Sequence, residues 1–80
     1  MNREEILLRI SQLDQDLAQQ PDSEELWIER GKLYWKLQDW QRCLADYDRA
    51  IALNPEGAAV TLRQSAMQII SFYHKDRYNP

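Results

Sequence analysis

Few side chains in this sequence are of the kinds that carry out reactions, and their spacing argues against catalysis. The one imidazole is His74 and the one thiol is Cys43. No serine or cysteine stands at an interpretable motif spacing from that imidazole. General acid–base work would fall to Asp46 and Asp48, but two carboxylates so placed on an amphipathic segment read as a solvated charged face. No glycine-rich run is present to cradle a phosphate, and a single cysteine excludes both an internal disulfide and a cysteine-based zinc cage. No set of metal ligands emerges either. The expectation is a protein that is not an enzyme and uses no cofactor. What remains is recognition. The ending "SFYHKDRYNP" gathers Phe72, Tyr73, His74, Arg77 and Tyr78, a group able to stack on a base or another ring. A chain end whose rings fold back over the core is the competing reading, and the overall negative charge favours it.

That charge is formally -3, with a pI near 5.0, so no basic field is available to hold a polyanion and nucleic acid is not an expected partner. A protein or peptide surface fits better. No run approaches the roughly 20 apolar residues that a membrane span requires. The opening "MNREEILLRI" carries Glu4 and Glu5 and lacks the apolar stretch of a secretion signal, which makes the cytoplasm the expected location. At 80 residues the chain is expected to form a single small domain of thin stability, since folding at this size removes only about 60 to 65 percent of the unfolded surface from water.

The elements that position these side chains are helices. With two glycines and three prolines in the whole chain, turns are scarce, and the abundant Leu, Ile, Ala, Gln, Glu, Arg and Lys favour helix. Ile6, Ile10, Leu13 and Leu17 recur at spacings of four, three and four, drawing one apolar stripe on a helix that ends before Pro21. In "PDSEELW", Asp22 or Ser23 can cap a second helix running to about Leu37, with Glu24 and Glu25 where the helix dipole favours anions. Asp39 caps a third helix to about Leu53, and "NPEG" at 54–57 breaks the chain again. A fourth helix is predicted over Ala58 to about His74, followed by a short tail. The prolines also reveal a period: 55 minus 21 is 34, and the same interval carries Gly31 onto Ser65. At that interval Leu13 meets Tyr47, Leu17 meets Ile51 and Asp22 meets Glu56, so the first helix reads as the second half of one unit and the fourth as the first half of another.

The stretch from Glu24 to Gly57 resembles the tetratricopeptide repeat, a 34-residue pair of antiparallel helices. Trp27, Gly31, Tyr34, Tyr47, Ala50 and Pro55 stand where that family's pattern places them, Asp39 and Trp40 supply an aspartate and an aromatic at the turn, and "RAIALNP" is similar to its usual ending. The resemblance implies an all-α, right-handed helix-turn-helix repeat stack of about four antiparallel helices, like that of small bacterial members of the family. Its parts would be a half-repeat helix over 1–21, a complete repeat over 22–57, and a capping helix with its tail over 58–80. The physics agrees: Gly31 and Ala50 remove side chains where two helices approach closely, and the rings of Trp27, Tyr34 and Tyr47 fill the space beside that contact. Three departures stand out. Arg30 occupies a position usually leucine and must snorkel or find a carboxylate. Cys43 replaces a small alanine and is expected to be an inert packing residue. Gln38 replaces the turn glycine, at a cost of about 1 kcal/mol if the turn is left-handed.

The resemblance also implies a groove. The family's groove positions fall on Glu25, Ile28, Lys32, Trp35 and Lys36, with Leu62, Ala66 and Ile69 opposite. A cation, an aromatic and a second cation on consecutive turns can hold an acidic or aromatic peptide through charge-assisted bonds and stacking; the alternative is a solvated face with one stray tryptophan. The lysines do not reproduce the family's carboxylate-clamping pattern. On the fourth helix, Ala59, Leu62, Ala66, Ile69, Ile70 and Tyr73 form an apolar stripe at helical spacing, whereas the positions that the repeat would turn inward, Val60, Thr61, Gln64, Met67, Gln68 and Ser71, are far more polar. Either the helix rolls its stripe onto the second and third helices as a cap, or a partner, including a second copy of the chain, covers it. The expected function is therefore a non-catalytic protein-interaction module, with a self-associating structural unit as the alternative.

Overall fold

The computed structural model describes residues 1–78, with side chains described as far as Tyr73. Four helices follow one another: α1 (Arg3–Gln19), α2 (Glu24–Lys36), α3 (Trp40–Leu53) and α4 (Ala58–Tyr78). Three are started by side-chain caps. The Glu5 N–H donates to Asn2 Oδ1 at 2.8 Å, the Leu26 N–H to Ser23 Oγ at 3.4 Å and the Arg42 N–H to Asp39 Oδ1 at 3.3 Å. Of the two caps expected for α2, Ser23 is the one used.

The link between α2 and α3 follows from where Gln38 sits. Its φ is 57°, the left-handed region, and its N–H donates to the Trp35 carbonyl at 2.9 Å while the next N–H, of Asp39, reaches back to Tyr34 at 3.0 Å. This reciprocal pair closes α2 and turns the chain directly into α3. The other break uses Asn54: its side-chain amide donates to Glu24 Oε2 at 3.1 Å, and its Oδ1 accepts from the Glu56 N–H at 3.2 Å. A side chain at Gly57 would overlap Glu24 Oε1, so glycine lets this loop lie against the start of α2.

Packing proceeds in chain order, α1 on α2, α2 on α3 and α3 on α4. The molecule measures 38 × 32 × 18 Å, and its short dimension is close to two helix diameters, as expected for a layered stack. One core cluster, Ile6, Ile10, Leu13 and Leu33, joins α1 to α2; another, Cys43, Tyr47 and Ala66, joins α3 to α4, and Tyr34 packs against both. The α2–α3 contact turns on Gly31. A Cβ there would lie 2.6 Å from Cε1 and 2.8 Å from Cδ1 of Tyr47, whose ring is wholly buried and has nowhere to move.

Two expectations need correction. The fourth helix does not stop near His74 but runs to Tyr78, since no glycine or proline intervenes before Pro80. The rings at its end do not fold back: Phe72 and Tyr73 are 76% and 70% exposed and pack edge-to-face on each other at 4.9 Å. By simple helical rise, the 21 residues of α4 make it about 10 Å longer than α3 with 14, so its end reaches past the α3 start. His74, Arg77 and Tyr78 lie outside the described side chains.

Candidate functional site

Helix α2 sets the site because its two sides face different surroundings. Lys32, Trp35 and Lys36 fall on one side at helical spacing, and together with Leu62 of α4 and Tyr47 of α3 they line a shallow cavity of about 360 Å³ whose wall is almost wholly apolar. Trp35 is half-buried, held edge-on to Trp40 at 5.3 Å and tilted against Tyr47 at 6.5 Å. Packing of this kind fixes the indole while leaving part of it in reach of a ligand. Lys32 and Lys36 are exposed and take part in no ion pair among the described residues.

Other groove candidates are dispersed. Glu25 is exposed and Ile28 half-buried near the start of α2, and neither borders this cavity. Ala66 is fully buried in the cluster with Cys43 and Tyr47, so it supports the floor and is out of reach of a partner. Ile69 borders a different cavity of about 370 Å³, shared with Gln38, Trp40 and Tyr73. The physical reason is the roll of α4. Ala59, Ala66 and Ile70 are buried, Leu62 and Ile69 are left half-buried at the edge, and the polar Thr61, Gln64 and Gln68 face solvent.

Asp46 is not a solvated carboxylate. It is 3% exposed and takes two hydrogen bonds from Arg30, Nε to Oδ2 at 2.9 Å and Nη2 to Oδ1 at 2.8 Å, while Arg30 Nη1 reaches Asp14 of α1 at 2.8 Å. The guanidinium also lies 5.0 Å from the Trp27 ring centroid. The Asp46 hydrogen bond, ahead of every other influence, holds the Arg30 guanidinium pKa above its ordinary value. Asp48 is exposed and pairs with Arg63 of α4 at 2.7 Å. Cys43 is fully buried and burial pushes its thiol up to about 11, which leaves almost no thiolate at neutral pH. The Tyr47 hydroxyl is buried without a hydrogen-bond partner, and burial raises its pKa too. Among the described residues no group of three or more His, Cys, Asp or Glu side chains is placed to hold a metal, and no helix is long and apolar enough to cross a membrane.

The tetratricopeptide repeat family model matches residues 24–56. The solution NMR structure of Bacteroides fragilis protein BF1650 is 36% identical, with a TM-score of 0.67, and the match covers 99% of this chain and 91% of that one. The chain belongs to the tetratricopeptide repeat family. Its fold is the all-α helical repeat expected; Gly31 and Tyr47 meet at the α2–α3 contact, and Ala50 is fully buried. No curated protein matches it significantly. Repeats of this kind support a protein-interaction role at a general level, and the family is generally non-catalytic.

Sequence reasoning found the lysines and Trp35 but missed Trp40 and Tyr73 as cavity-forming residues. Their signal was the unequal length of the last two helices, which sets the end of α4 beside the α2–α3 turn. A further cavity, about 470 Å³ between α3 and α4 on the far side of Trp40, is a weaker candidate because its charges, Asp48 and Arg63, already neutralise each other.

Proposed function

We propose that the chain is a non-catalytic module that holds a segment of another protein, or a peptide, in the groove bordered by Lys32, Trp35, Lys36 and Leu62. One observation carries the reading: two cations one turn apart, without an ionic partner among the described residues, beside an apolar cavity floored by fixed rings. In a chain of net charge -3 this is a local reversal of sign. It suits an acidic partner, since exposed lysines steer oppositely charged segments and the desolvated wall beside them adds apolar area. The test is binding of acidic and aromatic synthetic peptides by the native chain and by a Trp35→Ala, Lys36→Ala variant. Loss of about tenfold or more in affinity is expected, as for a central aromatic anchor. Equal affinity in a variant that keeps its helical spectrum and melting point would remove the groove as the site.

Self-association is the second reading, favoured by the exposure of Met67, Phe72 and Tyr73 on α4. Sedimentation at several concentrations separates the two, because a chain that stays monomeric and melts at a concentration-independent temperature leaves only the first.

A further inference from the structure

The groove does not end at Trp35. Beyond the Trp35–Trp40 pair lies the cavity bordered by Gln38, Trp40, Ile69 and Tyr73, formed where α4 overshoots the turn into α3. Leu62 borders the first cavity and Ile69 the second, and seven residues of helix place them about 10 Å apart along α4. The two cavities differ in chemistry. One carries Lys32 and Lys36, which form no ion pair among the described residues; the described wall of the other is two aromatic rings, an isoleucine and a neutral amide.

We infer that the chain recognises a bipartite segment, an acidic residue set against Lys32 and Lys36 and, about three residues away in an extended strand, a large apolar side chain seated between Trp40, Ile69 and Tyr73. The inference rests on the groove reading above and adds the partner's second anchor. Charge complementarity selects the occupant. A second copy of this chain or a further repeat would continue the stack on the outward face of α4, but along most of its length that face presents Thr61, Gln64 and Gln68 to solvent, and its exposed apolar side chains, Met67, Phe72 and Tyr73, gather toward one end. An acidic segment, in contrast, finds both its charge and its apolar side chain matched. Tyr73 is exposed and packs edge-to-face on Phe72, so it borders the cavity from outside the buried core.

A labelled nonapeptide carrying two glutamates three residues from a phenylalanine, in a Gly-Ser background, tests this beside two controls, Glu to Gln and Phe to Ser. The complete peptide is expected to bind about tenfold more tightly than either control. In the amide spectrum of the labelled protein the indole signals of Trp35 and Trp40 should both move, while that of Trp27, whose indole N–H donates to the Pro21 carbonyl at 2.8 Å, stays in place. Tyr73→Ser, at an exposed position that folding tolerates, should weaken the complete peptide about tenfold and leave the Phe-to-Ser control unchanged. A complete peptide no tighter than the Phe-to-Ser control, or indifferent to Tyr73→Ser, overturns the second anchor while the groove stands. Failure of every acidic peptide to move the Trp35 indole overturns the groove and the anchor together. Trp40 shifts that follow protein concentration without peptide, alongside a dimer mass, assign the cleft to a second copy and overturn the peptide anchor.

Discussion

Arg30 and Lys32 are two residues apart on α2 and therefore on opposite sides of it, and their fates differ. The guanidinium of Arg30 has a bidentate carboxylate in Asp46, a second carboxylate in Asp14, and the face of Trp27 beside it. Nothing of its charge is left for a ligand. Lys32, like Lys36 one turn on, has no ionic partner among the described residues and borders an apolar cavity. One cation ties three helices together; the others are free to meet something foreign. Charge alone does not mark a site. What marks it is charge left unmatched where apolar surface is also left open.

Breaking the Arg30 side should have the largest effect. Arg30→Leu restores the residue usual in the family at that position, yet it strands the buried Asp46 carboxylate without its partner. A loss of about 3 kcal/mol is expected in denaturant unfolding, the low end for removing one member of a buried pair because the Arg30 side chain keeps 19% exposure. Replacing both residues by leucine should recover most of it, since an apolar pair of similar volume needs no desolvated charge. A double variant as unstable as the single one would show that the pair is not the source of the loss.

This pair also shows how far the sequence was legible. The helix pair was readable because glycine, alanine and bulky rings at a fixed interval admit few other packings, and Gln38 was readable as strained because the turn has no room for another backbone. Arg30 announced a need for a carboxylate, but Asp46 did not announce its burial: a partner sixteen positions away on another helix leaves no local pattern. The candidate groove was half legible. Lys32, Trp35 and Lys36 share one face by spacing alone, whereas the placement of Ala66 and Ile69 depended on how far α4 rolls, which its mixed apolar pattern did not fix. Trp40 and Tyr73 depended on where two helices end relative to each other.

Alkaline pH should probe the packed side next. Folded Cys43 keeps its proton to about pH 11 because burial disfavours the thiolate, whereas the unfolded thiol ionises near its ordinary value of 9.0. Between those values the unfolded chain binds fewer protons than the folded one, so stability falls as pH rises. Tyr47, raised in the same sense by burial from 10.0, adds to the decline at the upper end. The thiol alone should contribute a loss of roughly 2 kcal/mol between pH 9 and 11, and Cys43→Ala should remove that part and delay the onset by about one pH unit, leaving Tyr47 to begin it. An unchanged onset in that variant would take the thiol out of the account.

The turn between the two sides gives a smaller, opposite effect. Gln38 is the described non-glycine residue with positive φ, and Gln38→Gly removes the steric cost of that conformation while adding freedom to the unfolded chain. The net gain expected is about 0.5 kcal/mol in the unfolding midpoint. A loss would mean that the glutamine side chain does more for the turn than the backbone strain costs.

The smallest stability effect should come from the open side of α2, and its smallness is what sharpens the contrast. Lys32→Ala with Lys36→Ala removes two exposed side chains that pair with nothing in the described structure, and alanine is at least as good a helix former as lysine. Against that stands the favourable position of Lys36 in the last turn, where the helix dipole gives a cation a few tenths of a kcal/mol. The two nearly cancel, so the unfolding free energy should stay within about 0.5 kcal/mol of the native value. Were the pair of substitutions to destabilise the fold by as much as Arg30→Leu, the lysines would belong to the architecture and the charge beside the cavity would not be spare. Unchanged stability together with lost affinity for acidic peptides would instead divide α2 lengthwise, one side holding the stack and the other meeting its partner.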